Sequence, residues 1–225
     1  MLILALDSSA IASVALGRLD GQTLTLLASR STEDTRSHAE VMAPFVTEVL
    51  AEAGVRGQDI DAVITGTGPG PFTGLRAGIV TARSLAFAWN KPLYGIMSLT
   101  ALAERAEGTA RASGHTRFLV ASDARRKEIY SAVYELTESG YQLESGPTVG
   151  PASEAPDLPA YGFGTSLYSE ALDAQPGFEH TQPDAAALLA AAVRLGLTNL
   201  STDTSALYLR ESDAKVPVAR KKASA

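Results

Sequence analysis

The chain has 225 residues, 45% of them hydrophobic and 20% charged, with a formal net charge of -6 and no cysteine. This is the composition of a soluble folded protein of one large domain or two small ones, and it excludes disulfides, thiolate metal sites and a cysteine nucleophile. It also argues against a free-standing phosphate-backbone binder, because the only basic clusters are Arg125-Arg126-Lys127 and Arg220-Lys221-Lys222.

Residues 2–6 read as a strand that stops at Asp7-Ser8-Ser9, and 13–16 and 24–28 read as two more, with the turn Leu19-Asp20-Gly21-Gln22 between them. The meander sets Asp7 and two hydroxyls at the carboxyl end of the first strand, where sheet-based sites lie. The plainer reading of Asp7 is a turn residue. Ser37-His38-Ala39-Glu40 reads as a capping box, and Val41, Met42, Phe45, Val46, Val49, Leu50 and Ala53 trace the apolar stripe of a helix that Gly54 ends. Pro44 lies inside it and predicts a kink in the first turns. His38 is one of three histidines, far in sequence from His115 and His180, so a polar contact or capping role is expected of it, not metal ligation.

The stretch 62–89 organises the chain. Ala62-Val63-Ile64-Thr65 reads as a buried strand, followed by a loop with glycines at 66, 68 and 70 and prolines at 69 and 71. Such glycines admit positive φ and let backbone amides approach a ligand or another chain, while the prolines stiffen the loop. It is neither a Walker A loop, since no lysine precedes Trp89, nor a dinucleotide fingerprint, since Pro71 stands in place of the third glycine. A helix is expected from Thr73, with Gly74, Gly78, Ala82 and Ala86 recurring every fourth residue. A helical glycine costs about 1 kcal/mol relative to alanine. The stripe therefore implies close approach by another helix, with packing on a sheet as the alternative.

Beyond Pro92, residues 93–96 read as a strand and Ser98 as the cap of a helix reaching Ala112; the region of Gly114 is a boundary. The opening pattern then returns, with a strand at 118–122 ending at Asp123, a turn through Arg125-Arg126-Lys127, and strands at 129–134 and 141–144. We read this as an internal duplication, with subdomains at 1–113 and 114–225. Ala160-Tyr161-Gly162-Phe163-Gly164 repeats the strand-to-glycine step, Pro183 opens an alanine-rich helix ending near Gly196, and 206–210 is a last ordered element before a lysine-containing tail expected to be mobile.

Arg36-Ser37-His38-Ala39-Glu40, the loop from Gly68 to Arg76, Asp123-Ala124-Arg125-Arg126 and Tyr208-Leu209-Arg210 together resemble the TsaB family, the dimerisation subunits of bacterial tRNA threonylcarbamoyladenosine synthesis. Pro71 departs from the serine usual in that family. The resemblance implies an α/β fold of duplicated actin-like, Hsp70-like and sugar-kinase-like (ribonuclease H-like) units, with mixed sheets and flanking helices in two subdomains. It implies a non-catalytic accessory subunit that pairs with a TsaD-type transferase, with a TsaE-type ATPase in the larger complex; whether the isolated chain homodimerises stays open. The histidine pair of the catalytic relative falls here on Ser98 and Leu102, which cannot hold a transition metal.

By carry-over, His38, Val41, Met42, Phe45, Gly74, Gly78 and Ala82 are partner-interface candidates, while Asp7, Gly66, Gly68, Gly70 and Asp123 mark a vestigial nucleotide site. No cofactor is expected to be tightly bound; ATP and metal are expected on the partner, tRNA only through the complex, and no membrane contact. The rival readings are an ATP-dependent phosphotransferase of the same superfamily and a metallopeptidase-like protein. With no signal-peptide pattern and no apolar run of bilayer length, a cytoplasmic location is the expectation.

Overall fold

The computed structural model describes residues 1–33 and 38–210. Its first sheet holds β1 (Leu2–Asp7), β2 (Ser13–Asp20), β3 (Thr23–Ser31), β4 (Ala62–Gly66) and β5 (Leu93–Ile96), in the order β3-β2-β1-β4-β5. The second holds β6 (Arg117–Asp123), β7 (Glu128–Thr137), β8 (Gly140–Pro151), β9 (Pro159–Tyr161) and β10 (Asp173–Ala174), in the order β10-β9-β6-β7-β8. Each sheet begins with an antiparallel meander and then adds two strands parallel to its first. The two orders are the same once strands are matched in sequence, so the duplication expected from the sequence is a duplication of topology. The architecture is the actin-like α/β fold of two related units.

Helices fill the layers unequally. In β1, Leu4 and Leu6 point to one face and Ile3 and Ala5 to the other, as strand alternation requires. The first pair meets Met42, Val46 and Val49 of α1 (His38–Ala53) and Ala82 and Ala86 of α2 (Phe72–Trp89). The second pair meets Leu188, Leu189 and Ala192, carried by the alanine-rich helix Ala185–Leu195. On the second sheet, Phe118, Val120 and Tyr134 pack against Leu102, Ala103 and Ala106 of α3 (Leu99–Ala112). The opposite face, with Leu119, Ala121 and Val133, is covered by Ala152, Leu172 and their neighbours. The glycine step after β9 leads into a four-residue helix, α4 (Phe163–Ser166), so the alanine-rich helix is α5.

α3 follows the first sheet in sequence but packs on the second, and α5 follows the second but packs on the first. The two helices meet between the sheets, joined by Arg105–Asp184 and Arg194–Glu104 ion pairs. Among the described residues the second unit thus has no long helices in the positions that α1 and α2 occupy in the first. Ser37, with the expected capping box, and the segment after Arg210 lie outside the described residues. Residues 206–210 are ordered as an irregular strap, not a helix or strand.

Candidate functional site

The site is built where β1, β4 and α3 converge. Asp7, at the end of β1, is almost fully buried. One carboxylate oxygen accepts the Ser9 amide (2.8 Å) and hydroxyl (2.7 Å), and the other accepts the Ser98 hydroxyl at 2.5 Å. Burial pushes the Asp7 carboxyl above its ordinary value against the opposing pull of these hydrogen bonds. Ser98 also accepts the Gly68 amide at 3.0 Å, and its own amide donates to the Gly68 carbonyl at 2.8 Å. The expected cap at Ser98 is therefore corrected, because its hydroxyl is committed to Asp7 and the glycine loop and does not cap α3.

The same geometry corrects the role expected of the loop glycines. A β-carbon on Gly66 would lie 1.8 Å from the Asp7 carboxylate, and one on Gly70 would lie 2.3 Å from the Ser9 carbonyl. Gly66, Gly68 and Gly70 are buried. They let the loop press onto the Asp7-Ser8-Ser9 turn of the same chain, and Gly68 at φ +95 turns it there. The backbone is spent internally: Thr67 donates to Ile96 and accepts from Leu207.

The small-residue stripe of α2 also faces inward. The Ser8 hydroxyl donates to the Gly74 carbonyl at 2.7 Å and accepts the Gly78 amide at 3.0 Å. At Gly78 the group that approaches is Ser8 of β1's own turn, not the helix expected there. Met42, Gly74, Gly78 and Ala82 are buried, so none presents a side chain to a partner. Val41 and Phe45 are half-buried, and the side chain of His38 lies outside the described residues. The outer face of the helix pair holds Ala43, Pro44, Thr47 and Ala51 on α1, and Val80 (58% exposed) and Phe87 (89% exposed) on α2.

Between the units lies a polar cleft of about 980 Å³, with Ser9, Thr32 and Pro71 on one wall and Ser122, Asp123 and Arg125 on the other. Asp7 and Asp123, paired in the expected vestigial site, are separated in role. Asp123 lines the cleft, accepts the Arg125 amide at 2.8 Å and ion-pairs with Arg125 at 3.3 Å, whereas Asp7 sits behind Ser9. Among the described residues no group of three or more His, Cys, Asp or Glu is placed to hold a metal.

Sequence reading marked 206–210 as an ordered element but not what it contacts. Gly95 donates to the Ser201 carbonyl, Arg83 donates to Thr204 (2.8 Å) and Arg76 to the Tyr208 hydroxyl (3.0 Å). Phe72 stacks on Tyr208, with ring centroids 4.8 Å apart. Arg210 then crosses to the second unit, donating to the Ala124 carbonyl at 2.7 Å and pairing with Glu128. The signal was the Tyr208-Leu209-Arg210 triplet, but nothing in it names the surfaces it joins.

A family model described as TsaD, tRNA N6-adenosine threonylcarbamoyltransferase, matches residues 25–193. The solved structure of YeaZ from Pseudomonas aeruginosa superposes with a TM-score of 0.75 at 31% identity, covering 92% of this chain and 99% of that one. The chain belongs to the TsaD family, on its TsaB (YeaZ) branch. The TsaB protein of Escherichia coli is 40% identical over 105 residues, 47% of this chain and 44% of that protein. An uncharacterized protein of Mycobacterium tuberculosis is 37% identical over 213 residues, 95% of this chain and 93% of that protein. In this TsaB-family chain, Leu102 is sealed in the core of the second unit and Ser98 holds Asp7.

Proposed function

We propose that this chain is a non-catalytic accessory subunit that pairs with a TsaD-type transferase in forming threonylcarbamoyladenosine in tRNAs reading codons that begin with A. The observation that carries this reading is the outer face of α1 and α2. Val80 and Phe87 stand exposed on α2 and Ala43, Pro44 and Ala51 on α1, and among the described residues the second unit has no equivalent helix pair. Solvent-exposed aromatic and aliphatic side chains on a rigid helix pair are the material of a partner surface. In an isolated chain the same face pairs two copies.

The absence of catalysis rests on how the candidate groups are used. Ser98 and Leu102, which stand where the catalytic relative has histidines, are a hydrogen-bonding tie and a core side chain. The glycine loop lies on its own chain, which leaves it no open cradle for phosphates. ATP, metal and the activated threonylcarbamoyl group belong to the partner in this reading; a TsaE-type ATPase joins the larger complex, and tRNA is engaged once that complex has formed.

The test mixes the purified chain with the TsaD-type subunit from the same cytoplasm and measures mass by light scattering and transfer to tRNA. A one-to-one pair, active only when both chains are present, is expected. Threonylcarbamoyl transfer by the lone chain, surviving chelation, or failure of the two to associate at tens of micromolar, overturns the reading.

A further inference from the structure

The strap fastens one unit to the other. Its first part lies on the first unit: the Leu207 amide donates to the Thr67 carbonyl at 2.8 Å, and Tyr208 stacks on Phe72 and accepts from Arg76. Its last two residues lie on the second. Leu209 packs against the core that holds Phe118 and Tyr130. The Arg210 guanidinium takes both ends of the β6–β7 turn, the Ala124 carbonyl at 2.7 Å and the Glu128 carboxylate. Asp123 and Arg125, on either side of Ala124, line one wall of the cleft, and Pro71, next to Phe72, lines the other. The step from Tyr208 to Leu209 therefore ties the two walls together.

The anchors on the first unit also belong to the outer face of α2. Phe72, Arg76, Val80, Arg83 and Phe87 follow one another at four, four, three and four residues, which sets them on one side of the helix, and all are exposed. Phe72 and Arg76 hold Tyr208, and Arg83 holds Thr204 just before it. This hold is half in water. Phe72 is 44% and Tyr208 42% exposed, and the Arg76 guanidinium lies 3.5 Å from the centroid of the Phe72 ring. A cation over an aromatic ring is held more firmly once water is displaced from around it. Whatever covers this end of α2 tightens the grip of Phe72 and Arg76 on the strap.

We propose that the strap is a mechanical link between the outer face of α2 and the cleft. The identity of what covers α2, a TsaD-type subunit, rests on the proposed function. The lone chain exchanges between a seated state, with Tyr208 on Phe72, and a released one, in which Tyr208 lifts away and the second unit, still holding Leu209 and Arg210, moves off from Pro71. Covering α2 favours the seated state, because only there do the stack and the cation contact gain from losing water. By the same linkage, a chain held in the seated state binds the subunit more tightly. Pairing on the outside of the first unit thus narrows the cleft between the units.

The test measures the width of the cleft directly. The chain has no cysteine, so Ser31→Cys and Lys127→Cys, both at exposed positions, place one spin label on each unit. Pulsed electron paramagnetic resonance on the full-length chain gives the distance distribution, alone and with saturating TsaD-type subunit. Tyr208→Ala cuts the anchor on the first unit and Arg210→Ala the anchor on the second, with melting temperatures confirming that each variant is folded. In the lone chain both substitutions are expected to broaden the distribution toward longer distances. The subunit is expected to narrow the distribution of the parent and to leave both variants broad. Arg210 is bound to the second unit and not to α2, so Arg210→Ala reaches the pairing face only through the strap; it is expected to weaken pairing about fivefold or more. Identical distributions in the parent and both variants overturn the proposal. So does a parent distribution that the bound subunit leaves unchanged. A parent chain that does not pair at all overturns the proposed function instead, and the comparison of lone chains still decides whether the strap ties the walls.

Discussion

The hydroxyl of Ser8 stands between the carbonyl of Gly74 and the amide of Gly78, bonded to both, and fills the space a side chain on residue 78 would need. A β-carbon there would lie 2.3 Å from the Ser8 oxygen. Gly78→Ala is therefore expected to destabilise the monomer by about 1–3 kcal/mol, as overpacking of a close contact does. Ser8→Ala in the same background should recover part of that loss, giving a coupling above about 0.5 kcal/mol in a double-mutant cycle. Urea denaturation of the four proteins checks it, and additive effects would mean that the two residues do not meet.

The outward face of α2 behaves in the opposite way. Val80→Glu and Phe87→Glu remove side chains that touch little of their own chain. Stability is expected to change by no more than about 0.5 kcal/mol, while association with the TsaD-type subunit falls at least tenfold. Met42→Asp is the contrasting control: Met42 is fully buried between α1 and the first sheet, so a carboxylate there is expected to unfold the unit. Calorimetry and thermal melts on all three variants separate surface from core.

The buried carboxyl of Asp7 links stability to pH. Its folded value is raised above 3.8 by burial, so between the two values the native state holds more protons than the unfolded chain. This contribution is fully present below the unfolded value and is lost as pH rises through the folded one. Asp7→Asn keeps a side chain of the same shape and removes the titration. Its unfolding free energy is expected to lose the fall with rising pH that the parent shows above 3.8. Denaturant midpoints from pH 4 upwards, compared between the two proteins, check the slope.

Where α3, α5 and β8 meet, Glu104 accepts two bonds from Arg194, at 2.7 and 2.9 Å, and one from the Tyr141 hydroxyl at 2.8 Å. The guanidinium also lies over the Tyr141 ring, 5.1 Å from its centroid. Burial and the adjacent Glu104 carboxylate hold the Tyr141 phenol well above its ordinary range, so its hydroxyl stays protonated and donates to Glu104 through neutral pH. Arg194→Lys supplies charge without the planar fork and is expected to cost about 1–2 kcal/mol. Arg194→Ala, which leaves Glu104 without its cation, is expected to cost more. Melting temperatures of the two variants give the order.

The strands and long helices were legible because their patterns are local. The unbroken apolar run of residues 2–6 marks a strand of a sheet covered on both sides, and the stripe from Val41 to Ala53 marks one helix face. The duplication was legible for the same reason, as a repeat of strand, aspartate and turn. The glycines at 74 and 78 announced a close approach but not by what, because the approaching Ser8 is distant in sequence and serine is an ordinary residue. Ser98 misled in a similar way: at a helix start its hydroxyl suits a cap, and only tertiary packing places a buried carboxylate close enough to claim it. The strap was legible as an ordered stretch at 206–210, but its contacts with Thr67, Arg76 and Ala124 were not, because they follow no period.

The two sheets share one strand order, yet among the described residues only the first carries a long outer helix pair. Had both units kept that pair, each molecule would offer two similar sticky faces, and contact through them could run on from chain to chain into a filament. With one face per molecule, self-association or pairing with a relative through it closes at two. On the proposed pairing through α1 and α2, the lack of a matching pair on the second unit would set a limit on assembly size, independent of how strongly the one face binds.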